Sequence, residues 1–277
     1  MPASDTRVTA PRIKPSIPGF VVIRPAPGPV DRLKRLCVHF AQQLADREWL
    51  GTRQSRGVVI CGFPRSGSTL LQLMLETAYP GSLHFGRERA GLLVAQTTWP
   101  GRYSLLITKR PNDLFFVDEI RRAYATRARK PCFIITTRDP RAILTSTHKG
   151  RPGYYVTVER WRGMFEHLRY VRQADDVVVS EYRTLVERPA EVQRRLVAAI
   201  GEEPAVSFDR FDQAVPESFN TLALNGVRPL DTSALDKWRE PRHAERIRQL
   251  LTEMPELPAV LVEEGYERDD AWVREYR

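Results

Sequence analysis

The chain has 277 residues, of which 42% are hydrophobic and 28% charged, and its formal charge is +9. That length holds one large α/β domain, with or without a lid, and the lack of any run of 18 apolar residues excludes a membrane-spanning helix. The basic balance suits an anionic ligand, whether nucleotide, glycan or nucleic acid, without choosing among them. In chain order, residues 1–29 carry Pro2, Pro11, Pro15, Pro18, Pro25, Pro27 and Pro29. They read as an extended, polar arm before a domain over 30–277, without the layout of a secretory signal. Residues 31–49 place Leu33, Leu36, Phe40, Leu44 and Ala45 at helical spacing, which predicts an amphipathic helix. Val58 to Cys61 form a short apolar run that stops at Gly62, as a buried strand does. A glycine- and serine-rich turn follows over 63–68, then a Leu- and Met-rich helix over 69–77.

Further strands are expected over 105–108, 133–136 and 177–179. Asn112 and Asp113 cap a helix reaching about Arg127, and Asp139-Pro140 start another. Long helices are expected over 157–173 and 184–200, and the tail has helical stretches near 232–239, 242–253 and 257–264. Strands alternating with helices argue for a single α/β domain, a parallel sheet flanked by helices, with helical and loop elements forming the acceptor site. Cys37, Cys61 and Cys132 are odd in number and fit no zinc spacing. Cys61 and Cys132 lie in apolar runs as core residues, so a reducing compartment, the cytoplasm, is the expected setting.

The most informative segment is Gly62-Phe63-Pro64-Arg65-Ser66-Gly67-Ser68-Thr69. It follows a strand and opens a helix, so its backbone N–H groups and the helix dipole are placed to cradle a phosphate. It departs from the Walker pattern, because Ser68 stands where lysine is required and the cation lies three residues earlier, at Arg65. No acidic residue ends the later strand, which runs into Thr136-Thr137-Arg138. A P-loop nucleotide kinase or phosphotransferase, the alternative reading, needs that lysine and a metal-binding acid. No metal is expected here.

Residues 64–71 resemble the 5′-phosphosulfate loop of sulfotransferases that use the nucleotide donor PAPS. The resemblance implies that Arg65, Ser66, Gly67, Ser68 and Thr69 hold the donor, and that Arg65 stabilises charge on the bridging oxygen. Arg138-Asp139-Pro140-Arg141, with Ser146 eight residues after Arg138, resembles the family's 3′-phosphate segment. An arginine fork with a hydroxyl is a sound clamp for that phosphate. Ser180-Glu181-Tyr182 resembles the segment near the adenine, so Tyr182 either contacts the base or packs at a strand end. Lys237-Trp238 resembles the C-terminal segment of tyrosyl-protein sulfotransferases, where the lysine reaches a donor phosphate; a plain surface lysine is the other reading. The order of segments over 58–266 is similar to those enzymes, Lys109 before Pro111 included. The implied partners are PAPS, its product PAP and a hydroxylated acceptor, with no nucleic acid and no membrane span. A second copy of the chain is left open.

Sulfuryl transfer needs a base for the acceptor's proton and cations for the leaving phosphate. Small-molecule sulfotransferases place a histidine after a Lys-Thr pair, and Ile107 to Pro111 has none. In tyrosyl and some glycolipid enzymes a glutamate after the first helix does this work. Glu88 is the candidate on that resemblance and His84 the alternative. Lys109 is a candidate to neutralise the transferring group, and Arg110 to bind an acidic acceptor. Trp99, Tyr103, Tyr154, Tyr155 and Trp161 are expected either to line an apolar or sugar-stacking cleft or to sit in the core. His148 is expected to solvate a helix end.

Overall fold

The computed structural model describes residues 13–21, 27–46, 55–128, 130–148, 151–217, 219–224 and 226–277. Most of the proline-rich arm, and the end of the first expected helix at Trp49, lie outside them. In chain order the elements are α1 (Pro29–Asp46), β1 (Arg56–Gly62), α2 (Ser68–Ala78), α3 (Gly91–Thr97), β2 (Leu105–Lys109), α4 (Val117–Ala123) and β3 (Cys132–Thr137). There follow α5 (Pro140–Leu144), β4 (Thr147–His148), β5 (Arg151–Tyr154), α6 (Val158–Val171), β6 (Val177–Glu181), α7 (Tyr182–Glu187), α8 (Pro189–Ile200), α9 (Ala244–Glu253) and α10 (Leu257–Glu263).

The four strands read from the sequence form one parallel sheet in the order β2-β1-β3-β6. Alternate side chains point to opposite faces. Val58, Ile60, Cys132 and Ile134 join a core with α2 and α8, whereas Val59, Cys61, Phe133 and Ile135 join one with α4, α6, α9 and α10. Burial on both faces is why these strands are continuous apolar runs. The chain leaves β1 through α2 on one face and leaves β3 through α5 and α6 on the other. A crevice therefore opens beyond the carboxyl ends of β1 and β3, where open α/β sheets bind ligands.

Four helical stretches depart from expectation. In α1 Leu33, Leu36 and Phe40 of the expected stripe are exposed; Ala45 is buried as expected, and Val38 and Gln42 are buried with it. Polar bonds decide that face: Gln42 donates to the carbonyls of Ala95 and Thr98, and Arg35 donates to Gln96. The helix expected over 184–200 is broken at Arg188 (φ −139°, ψ 56°), because a residue before proline is pushed out of the helical region. The helix expected from Asn112 begins as a 3₁₀ turn, Pro111–Phe116, and Phe116 (φ −117°, ψ 16°) separates it from α4. The tail stretch near 232–239 is two 3₁₀ turns, Thr232–Ala234 and Lys237–Arg239. Among the described residues no helix is long and apolar enough to cross a membrane.

Candidate active site

The loop between β1 and α2 is built around two glycines. At Gly62 (φ 123°) a Cβ would lie 2.4 Å from the Thr136 carbonyl oxygen, so only glycine lets β1 end this close to β3. At Gly67 (φ 82°) a Cβ would lie 2.4 Å from the Tyr182 ring, which packs directly on the loop. Arg65 itself is left-handed, with φ 67°, an uncommon and costly conformation for a side-chain-bearing residue. Ser66 is buried; its hydroxyl donates to the Phe63 carbonyl and is 2.6 Å from Thr136 Oγ1. It braces the loop from within. The helix that follows starts at Gly67 with no side-chain cap, so its first-turn N–H groups are free for a ligand.

The loop opens on a cavity of about 500 Å³. Arg65, Gly67, Ser68 and Thr69 line it, with Glu88, Lys109, Arg138 and Tyr182 from four other segments. A second cavity of about 630 Å³ is lined by Arg65, Arg138, Ser146, Tyr182 and Lys237, with Arg228, Arg242 and His243. Among the described residues no carboxylate lines it. The two share Arg65, Arg138, Tyr182 and Arg228 and form one cleft. Its size suits a nucleotide with an acceptor beside it.

Arg138 stands at the junction, just past the end of β3. Its guanidinium donates to the Arg65 carbonyl at 3.1 Å and to the Ala234 carbonyl at 2.8 Å, and lies 4.5 Å over the Tyr182 ring. Burial lowers its pKa from the ordinary arginine value, and it stays charged. Asp139 accepts the Arg141 N–H at 2.8 Å and so caps α5. Arg141 is buried between Trp238 (3.7 Å) and Trp272 (4.6 Å), paired with Asp139 at 2.7 Å and Glu267 at 2.6 Å. This buried ion cluster fixes the C-terminal turns, Lys237 included, against the 3′-phosphate segment. Ser146 lines the second cavity, and its hydroxyl donates to the Ile143 carbonyl at 2.6 Å, a bond it would exchange to donate to a phosphate.

Lys109 ends β2, nearly buried, and its Nζ is 2.9 Å from the exposed Glu88 carboxylate. His84 lines neither cavity and pairs with Glu76 instead. Arg110 pairs with Asp113 at 3.7 Å. Of the expected aromatics, Tyr155 lines the first cavity and Tyr154 the second, whereas Trp161 is core and stacks on Phe165. Trp99 and Tyr103 line neither cavity; the Tyr103 hydroxyl donates to the Trp99 carbonyl. His148 does not serve a helix end: it lies in β4, stacks on Tyr155 at 5.4 Å and lines the first cavity. Gln72, Arg87, Asn220, Arg242 and His243 were not singled out by the sequence. Each is an isolated polar residue brought to the cleft by tertiary folding, and no local pattern marks it.

No family model matches the chain, and no curated protein does. Among solved structures it is similar to the sulfotransferase domain of the Synechococcus PCC 7002 olefin synthase, at 20% identity and TM-score 0.47, over 67% of this chain and 88% of that one. It is also similar to the sulfotransferase domain from the curacin biosynthetic pathway, at 18% identity and TM-score 0.49, over 73% of this chain and 99% of that one.

Proposed function

We propose that the chain is a sulfotransferase that moves a sulfuryl group from PAPS to an acceptor hydroxyl, leaving PAP and a sulfate ester. One observation carries this reading. A phosphate loop with its cation at Arg65, and Ser68 in place of the kinase lysine, opens into a second cavity whose described lining has several cations and no carboxylate. PAPS has phosphate chemistry at two ends of one ribose, and the cleft offers an anion site for each. The free N–H groups of α2 and Arg65 suit the 5′-phosphosulfate; Arg138, Ser146 and Lys237 suit the 3′-phosphate, with Tyr182 between them.

In this reading the acceptor oxygen attacks sulfur as the bond from sulfur to the bridging oxygen breaks. The hydroxyl proton passes to the Glu88 carboxylate, and the electron pair of the broken bond stays with PAP. Arg65 and the loop N–H groups stabilise that charge. Lys109 orients Glu88 and lies near enough to neutralise the group in transit. The free thiols Cys61 and Cys132, both buried, and the exposed Cys37 support a reducing setting such as the cytoplasm. Incubation with labelled PAPS and a panel of alcohols, phenols, sugars and tyrosyl peptides tests the function. Label should pass to a hydroxyl and yield PAP; a panel that stays unlabelled while ATP and magnesium give turnover would establish a kinase.

A further inference from the structure

The proposed chemistry uses Glu88 and leaves a fully buried carboxylate unaccounted for. Glu76, on α2, is 0% exposed. Its Oε1 accepts from Gln72 Nε2 at 2.7 Å, and its Oε2 is 3.0 Å from His84 Nδ1. A carboxylate this deep is costly unless paired; here Oε1 accepts a hydrogen bond, while Oε2 meets His84 at ion-pair distance without hydrogen-bond alignment. The Glu76 carboxylate, facing His84 as an acceptor and as a charge, raises the His84 pKa against the opposing effect of burial.

His84 lies on the segment that delivers Glu88. At one end that segment is stitched to β2: Leu83 N–H donates to the Leu105 carbonyl and Ile107 N–H to the Leu83 carbonyl, both at 2.9 Å. At the other end Arg89 N–H donates to the Lys109 carbonyl at 3.0 Å. Between them Gly86 turns the chain at φ 60°. These bonds fix the segment against the sheet edge. The Glu76–His84 pair ties it to α2, the helix whose N-terminus carries the phosphate loop. Gln72, which holds the other oxygen of Glu76, lines the first cavity.

We propose that the Glu76–His84 pair is a positioning device that fastens the Glu88 segment to α2 and so sets the base at a fixed distance from the donor loop. His84 and Glu76 are positioning residues that act through Glu88, and the proposal rests on Glu88 being the base. Misplacing a reacting group by about 1 Å costs on the order of 10²-fold in rate, so the fastening should be visible in turnover.

The test combines His84→Ala, Glu88→Gln and the double variant, with PAP as the probe of the nucleotide side. PAP should stabilise His84→Ala as much as the unaltered protein. Amide exchange at Leu83 and Arg89, measured with PAP bound, should quicken by about tenfold or more as the segment loosens. With labelled PAPS and the alcohol that the acceptor panel selects, His84→Ala should lower turnover about tenfold or more. In the Glu88→Gln background it should cost nothing further, since a base already removed cannot be misplaced. The neutral pair Glu76→Gln/His84→Asn restores a hydrogen bond in the same place and should recover most of the turnover. If His84→Ala does not fold, His84→Leu, which fills the space without a donor, takes its place in the cycle. Equal losses with and without Glu88, or unchanged exchange at Leu83 and Arg89, overturn the proposal. If Glu88→Gln alone leaves turnover intact, the base assignment fails, whereas the exchange result still decides whether the pair fastens the segment.

Discussion

Arg65 combines two roles that substitution can separate. Its left-handed backbone turns the loop where it lines the cavity, while its side chain supplies the cation. Arg65→Gly keeps the turn and removes the charge. Losing such a preorganised donor costs ~10²–10³ in turnover, and the loss should persist at saturating PAPS with folding intact. Unchanged turnover in Arg65→Gly would move leaving-group stabilisation elsewhere. Glu88→Gln keeps shape and removes basicity, so PAP binding should survive while turnover on an unactivated alcohol drops by ~10²–10⁴. The deficit should shrink for acidic phenols, which need little help from a base, and a deficit equal for both acceptors would contradict the role. His84 gives a pH signature in stability. Its folded pKa is raised by Glu76, so its contribution is fully present below the ordinary histidine value and is lost as pH rises through the raised one. The stability gap between the unaltered protein and His84→Asn should therefore narrow with rising pH across that window, as urea unfolding would measure. His167, whose pKa is lowered by burial, is present in both proteins and cancels from the difference.

At the scale of elements, the segment that bears Arg138 is welded to the C-terminal turns through Arg141. Removing one partner of a buried ion cluster leaves charge uncompensated and costs about 3–5 kcal/mol. Arg141→Leu should lower the denaturation midpoint accordingly, and a shift near zero would show that Asp139 and Glu267 are solvated without it. Arg138→Ala should weaken PAPS binding more than it slows transfer, because the 3′-phosphate is remote from sulfur. A charge-assisted contact of this kind is worth about 1.5–3 kcal/mol, and unaltered nucleotide affinity would contradict the assignment. The same elements show what the sequence made legible. Strands β1, β2, β3 and β6 announced themselves because burial on both faces leaves only apolar residues, and the loop after β1 because glycine and serine are needed where backbone must approach backbone and ligand. The break before Pro189 was also legible in principle, since residue 188 precedes a proline. The buried face of α1 was not. It is chosen by Gln42 bonding to carbonyls of Ala95 and Thr98 some 50 positions away, which hydrophobic periodicity does not register. Glu88 was identified by resemblance, whereas its pairing with Lys109 and the anchoring of its neighbour His84 to Glu76 depend on tertiary contacts with no local signal.

Across the whole molecule, the sheet sets the geometry of the cleft. Parallel strands bring the ends of β1, β2 and β3 to one edge, so that Arg65, Lys109 and Arg138, far apart in sequence, converge on one cleft. In the proposed reading the two cavities meeting at Arg138 take a ligand with anionic groups on both the 5′ and 3′ sides of a ribose. Thermal unfolding in EDTA with PAP, and separately with 5′-AMP, which lacks the 3′-phosphate, tests that requirement most directly. A ligand at 100 times its Kd adds about 2.7 kcal/mol to stability. The cleft described here should give PAP that scale of stabilisation without magnesium, and 5′-AMP clearly less at the same concentration. Equal stabilisation by the two, or stabilisation only by ATP with magnesium, would contradict the account.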